Sequence, residues 1–372
     1  MRPVLKSSIA LGAILAVAAV VALRFWLGVA HRPIRPAYVP RVGTGQEAPA
    51  DLLAPLPGTD VAAFQRGRAL FEKEFTAAEG LGPYYNASSC RACHNIPAVG
   101  GQGDHDHHVG QDEARPRHTP AGETVYRPDE PAHVPPSLFG LALLDDLTDD
   151  QITRGCGVDA ALGIHGIAGG NGNKRTPPVK RFGRGARTRD LRAFVAKALL
   201  TEQGLTNPGT PDEPKTCGHD PEHPEECKSG DAVDVPDSTI DDLVAFVGGL
   251  APVPRLPPDP RGEKLFAQVG CATCHRVDAP YFLGTDVCLH DMGALKEPTV
   301  PPRPPPRDFV RLWVTARLSG VRFRAELLHD GRASNVDEAI RAHDGEGAIV
   351  KDAYAALAEA DRRALVAYVM SL

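Results

Sequence analysis

Two short strings carry the most specific chemistry in this chain: Cys271-Ala-Thr-Cys274-His275 and Cys90-Arg-Ala-Cys93-His94. A Cys-x-x-Cys-His pentapeptide is the attachment signature of a c-type haem. Its two thiols bond to the porphyrin edge, and the adjacent histidine takes one axial position on the iron. Similar lead-ins precede the two strings, Arg66-Gly-Arg-Ala-Leu-Phe71 and Arg261-Gly-Glu-Lys-Leu-Phe266. The expected cofactors are therefore two covalently bound haems c, held by Cys90, Cys93, Cys271 and Cys274, with His94 and His275 on the irons.

The elements that must position these strings read as helices. Phe64, Leu70, Phe71 and Phe75 fall at helical spacing, and Asp190–Thr201 and Ser238–Leu250 have one apolar side each. Thr148 is placed to cap a short helix. The segment Ile240–Leu250 resembles Asp361–Leu372, so the chain before and after the Pro-rich stretch 251–260 starts and ends alike. Strand signals are scarce. The expected fold class is all-α: two cytochrome c-like domains, residues 61–255 and 256–372, each carrying one haem c and long loops.

The chain has 372 residues, room for two cores, with 37 Gly and 35 Pro to break it into loops. A formal charge of −6 gives no sign of a nucleic-acid partner, and none is expected. Arg2 and Lys6 precede an apolar run from Ile9 to Leu23, which reads as an export signal. Cleavage after Gly28-Val-Ala30 and retention of residues 9–30 as a membrane anchor are both open; either way the expected location is the periplasm. Residues 31–60 form a linker.

Four further cysteines in an exported chain read as two disulfides with three possible connectivities; the expected one is Cys217–Cys227 within one loop and Cys156–Cys288, with a metal site or a reactive thiol the alternative. The cluster Asp104-His-Asp-His-His108 reads as a solvated loop, with transition-metal binding the alternative. The Gly-rich run 163–172 lacks the Lys-Ser/Thr ending of a phosphate loop.

Leu327-Leu-His-Asp-Gly-Arg332 followed by His343 resembles the signature of di-haem cytochrome c peroxidases and MauG-type enzymes, and most closely of di-haem oxidoreductases with peroxidase or thiol-oxidoreductase assignments. Phe139–Leu144, Arg181-Phe-Gly183, Gly204–Pro208 and Leu289–Gly293 resemble blocks of that family in the same order.

The resemblance implies a reactive iron on Cys90, Cys93 and His94. It also implies a six-coordinate relay iron on Cys271, Cys274 and His275. The sixth ligand of the relay iron, Met, Tyr or His among the relatives, follows the His-x-Gly motif by one short helix. Fourteen residues after His329 stands His343. Met292 is the competing ligand.

Two departures stand out. Relatives carry an aromatic residue, usually Trp, between the haems near the block matching residues 181–185. Here Arg184 holds that place, Phe182 is the nearest substitute, and Trp313 is the only Trp beyond the leader. The distal carboxylate that handles the peroxide proton comes late, leaving Glu213 or Glu202 as the catalytic residue. A calcium lies between the haems in relatives, and carbonyls around Asn171–Thr176 are the candidates for it.

The function so implied is hydrogen peroxide reduction. Electrons would come from a small exported cytochrome or cupredoxin, or from an oxidisable protein substrate in the MauG manner. The rival is a non-catalytic electron-transfer cytochrome.

Overall fold

The computed structural model describes residues 38–82, 85–103, 133–170, 179–211, 233–278, 280–293 and 311–372. By internal contacts the chain divides into Met1–Val39 and Pro40–Leu372, and every element below belongs to the second unit. The expected leader lies outside the described residues, among which no helix is long and apolar enough to cross a membrane.

The helices that position the site are α1 (Val61–Glu72), α2 (Asp149–Gly155), α3 (Leu191–Gln203), α4 (Asp237–Gly249), α5 (Pro260–Val269), α6 (Val336–Arg341), α7 (Ala348–Ala355) and α8 (Glu359–Ser371). Two pairs of them, α1 with α4 and α5 with α8, are built to one plan. Asp60 caps α1 by accepting from the Ala62 and Ala63 amides, and Asp259 caps α5 by accepting from Arg261 and Gly262.

Each pair then crosses at a glycine. A Cβ on Gly67 would sit 1.8 Å from the Asp242 carbonyl oxygen, and one on Gly262 would sit 2.0 Å from that of Ala364. The preceding arginines bind the partner helix, Arg66 to Asp242 at 2.8 Å and Arg261 to Asp361 at 2.5 Å. One turn later Phe71 packs on Phe246 and Phe266 on Tyr368, with ring centres 5.0 and 5.2 Å apart. The repeated lead-in is thus a helix-crossing code: charge, close approach, then aromatic packing. Phe266 continues into a core with Val321, Val336, Tyr354 and Leu365.

The all-α expectation needs correction. Strands β1 (Val158–Asp159) and β2 (Ile164–His165) pair antiparallel, and β3 (Ile167–Ala168), β4 (Cys288–Asp291) and β5 (Leu312–Val314) form a sheet in that order. Strands of two to four residues are too short to show alternation in sequence. The pairing Ala168↔Cys288 joins chain from either side of the Pro-rich stretch. Beside it lies the expected Cys156–Cys288 disulfide, which closes 132 positions. In the chain-entropy model a loop of that size is stabilised by on the order of 4–5 kcal/mol. Cys217 and Cys227 lie outside the described residues.

Candidate functional site

Cys90–Cys93 is a single helical turn, and the His94 amide donates to the Cys90 carbonyl at 3.1 Å. The turn brings both sulfurs to one side, with the histidine just beyond. Nδ1 of His94 lies 3.1 Å from the Gly101 carbonyl, which orients the ring and leaves Nε2 as the ligating atom. Burial pushes His94 down to about 4, against the opposing pull of the Gly101 and Pro136 carbonyls. The ring is therefore a neutral imidazole at neutral pH, the form that ligates metal. Burial first, and then Cys93, push the Cys90 thiol up to about 12, so it is protonated at neutral pH.

The second string repeats this geometry in a 3₁₀ turn, Cys271–Thr273, with the His275 amide on the Cys271 carbonyl at 2.9 Å. Nδ1 of His275 is 2.9 Å from the Gly284 carbonyl, and burial pushes this histidine down to about 4 as well. His343 faces it. The two ring centres are 6.4 Å apart, and Nδ1 of His343 is held by the Ala339 carbonyl at 2.8 Å. Two metal–imidazole bonds of about 2 Å each, plus roughly 1 Å from each nitrogen to its ring centre, come to about 6 Å. The spacing fits one iron between two imidazoles. His343 is presented by α6, which Asn335 caps by accepting from the Glu338 amide at 2.9 Å. Met292 packs beside the same loop: a Cβ on Gly347 would meet its Cε at 3.2 Å and the His343 Cβ at 3.0 Å.

Other groups fit a bound porphyrin. Nε1 of Trp313 and Nε of Arg324 are buried without a hydrogen-bond partner. Arg317 donates to the carbonyls of Ser137 and Phe139 and forms no ion pair among the described residues, nor does Arg324. Burial pushes these guanidiniums down to about 9 and about 10, and each lacks the acid that normally accompanies such burial. Porphyrin propionates are anions of the right kind to stand there.

Around the first string, Glu202 ends α3 close to Cys90. Its Oε2 accepts from Asn86 Nδ2, Oε1 accepts from Thr201 Oγ1 at 3.3 Å, and the neighbouring Gln203 Oε1 is 3.7 Å from Cys90 Sγ. Glu213, the region Asn171–Thr176 offered for calcium, and His105, His107 and His108 lie outside the described residues.

Phe182 stacks on Phe194 at 5.7 Å. The aromatic beside Arg184 is instead Trp313, since the Val314 amide donates to the Arg184 carbonyl at 3.1 Å. Trp313 packs on His329 at 4.2 Å and His133 joins them at 5.4 Å from His329. The Val134 amide binds the His329 carbonyl, linking this cluster to the segment over His94. On its other side Trp313 is the β-partner of His290.

His290 is the residue the sequence reading missed. Its Nε2 is 2.9 Å from Asp286 and its Nδ1 2.7 Å from Glu346. Burial opposes charging it, but Asp286, Cys274 and Glu346 together push it up to about 12. Both carboxyls are held below their usual range: burial raises them, and the bonds from His290 and from backbone amides outweigh it. Cys274, Asp286 and His290 lie close enough together to suggest a metal. Within that set Asp286 and His290 bind each other directly at 2.9 Å, so the pair is an ion pair.

No curated protein matches the chain. Solved structures with similarity include hydrazine synthase of Kuenenia stuttgartiensis pressurised with xenon, at 15% identity over 91% of this chain and 98% of that one, TM-score 0.41. Another is a tyrosine-to-methionine variant of the diheme peroxidase BthA from Burkholderia thailandensis, at 16% identity over 82% and 78%, TM-score 0.40. Residues 279–372 match the family model described as "Di-haem oxidoreductase, putative peroxidase". The segment that carries Asp286, His290, the Leu327–Arg332 motif and His343 is thus the part of the chain similar to that family.

Proposed function

We propose that this protein is an exported di-haem peroxidase-type oxidoreductase, with a reactive first haem on His94 and a relay haem held between His275 and His343. The observation that carries the reading is the pair of facing imidazoles 6.4 Å apart behind one of two Cys-x-x-Cys-His strings. A haem c iron supplies a coordination position for peroxide and the electrons that break its O–O bond.

The chain's own residues do the rest. Neutral His94, oriented by the Gly101 carbonyl, would ligate the first iron through Nε2. Glu202, held through Oε2 by Asn86, offers Oε1 for moving a proton. Trp313 and His329, in ring contact, would supply an aromatic stepping stone between the two haem-binding regions. Export to the periplasm accords with the Cys156–Cys288 disulfide, since such bridges persist in oxidising compartments. The electron source is a small exported redox protein or an oxidisable protein substrate, because neither requires an organic pocket.

Low-temperature electron paramagnetic resonance of the oxidised holoprotein tests this. One high-spin and one low-spin ferric signal, both altered by hydrogen peroxide, are expected, with the low-spin signal lost in His343→Ala. Two low-spin signals indifferent to peroxide, before and after one-electron reduction, would leave an electron-transfer cytochrome instead.

A further inference from the structure

His343 reaches the second site from the end of a short helix followed by a glycine-containing turn, and such a ligand needs an anchor. Glu346, three residues on, provides three contacts. It accepts from the His165 amide at 2.9 Å, from the Asp291 amide at 3.1 Å, and pairs with His290 Nδ1 at 2.7 Å. Between His343 and Glu346, Gly345 has φ 55°, and a Cβ there would sit 2.2 Å from the Asp291 carbonyl oxygen. The turn is therefore pressed directly onto the end of β4.

His290 in turn is fixed from behind. Asp286 binds its Nε2 and also takes the Gly157 amide at 3.0 Å, the Cys288 amide at 3.0 Å and Thr315 Oγ1 at 2.7 Å. With a carboxylate at each ring nitrogen, His290 donates from both and is an imidazolium. Asp286 and His290 are 0% and 2% exposed, so this ion cluster was removed from water. Burying such a cluster adds little net stability, which points to a role in fixing one geometry. The stretch it belongs to also holds the opposite ligand, because Gly284 presents its carbonyl to His275 Nδ1.

We propose that Asp286, His290 and Glu346 form a latch that keeps His343 in its axial position on the second haem. Residues 284–291 then secure both axial histidines, one directly and one through the latch. Opening the latch frees a coordination position, so the relay haem becomes accessible to external ligands while its thioether attachment is untouched. His290 and Glu346 are positioning residues in this scheme, and the scheme rests on His343 being the sixth ligand.

The test is carbon monoxide uptake by the fully reduced holoprotein, read by difference spectroscopy alongside the ferric low-spin signal. The intact protein is expected to bind one carbon monoxide per chain. Glu346→Gln is expected to bind close to two and to lose most of the low-spin signal, with two haems per chain by pyridine haemochrome assay and the first haem's high-spin signal unchanged. Glu346→Asp, which keeps the charge, is expected to fall between.

One carbon monoxide per chain and a full low-spin signal in Glu346→Gln, while His343→Ala loses that signal, would overturn the latch and spare the ligand assignment. A low-spin signal that survives His343→Ala would overturn the ligand assignment itself. Loss of the second haem from both Glu346 variants would also count against the latch, which leaves Cys271 and Cys274 free to hold the porphyrin.

Discussion

Trp313 is the residue whose setting is most demanding. Its indole Nε1 is buried without a partner, its ring lies 4.2 Å from His329, and its strand neighbour Val314 binds Arg184. An aromatic in that setting is suited to carry an electron between two redox groups. Trp313→Phe is expected to slow electron redistribution between the haems by about tenfold, a barrier rise of roughly 1.4 kcal/mol, with haem content preserved. Rapid-mixing spectroscopy of the half-reduced protein measures it, and an unchanged rate would remove Trp313 from the path.

Asp337 offers a pH test at the same scale. Arg341 first, then the Tyr354 hydroxyl at 2.5 Å, hold its carboxyl below the ordinary value of 3.8. A depressed carboxyl stabilises the fold above its unfolded value and loses that contribution as pH falls through the folded one. The C-terminal core around Tyr354 should therefore lose stability as pH drops below about 3.8, and Asp337→Asn should flatten that part of the acid-unfolding curve.

At the scale of elements, the two glycine crossings set how closely the helices approach. Gly67→Ala and Gly262→Ala each place a methyl where a carbonyl oxygen now stands, 1.8 and 2.0 Å from the ideal Cβ position. Backbone cannot yield as a side-chain tip can, so the helices must separate. Overpacking of this kind costs about 1–3 kcal/mol or more. Thermal melts followed by circular dichroism should show Tm lowered by several degrees in each variant, and an unchanged Tm would mean that the crossing relaxes freely.

These crossings were half legible beforehand. The repeated Arg-Gly-x-x-Leu-Phe string is visible in the sequence, but the carbonyls it approaches lie 175 and 102 positions away. The same limit hid the sheet and the latch. Cys288–Asp291 and Leu312–Val314 are too short to alternate, and His290 meets Glu346 across 56 positions. What could be read was local: the two pentapeptides and the capping residue Thr148. The all-α reading failed where short strands are made by their partners, and the neighbourhood of Trp313 and Arg184 was hidden because it is made by a backbone bond between Val314 and Arg184, far apart in the chain.

Across the whole molecule, the helix pairs before and after the Pro-rich stretch are tied by β3–β4 pairing and by the bridge from Cys156 to Cys288. That bridge has a consequence for how the protein is made. On the function proposed above, six of the eight cysteines would have two opposite fates in one compartment: Cys156 and Cys288 are bridged, while Cys90, Cys93, Cys271 and Cys274, free in this structure, would have to stay reduced until porphyrin captures them. Cys274 and Cys288 are only fourteen positions apart, so maturation on that reading would be a sorting problem in which haem delivery competes with an oxidant for the same class of thiol. Cells that export the chain without haem-attachment machinery should accumulate mispaired isomers, and supplying that machinery should restore a single Cys156–Cys288 bridge by peptide mapping.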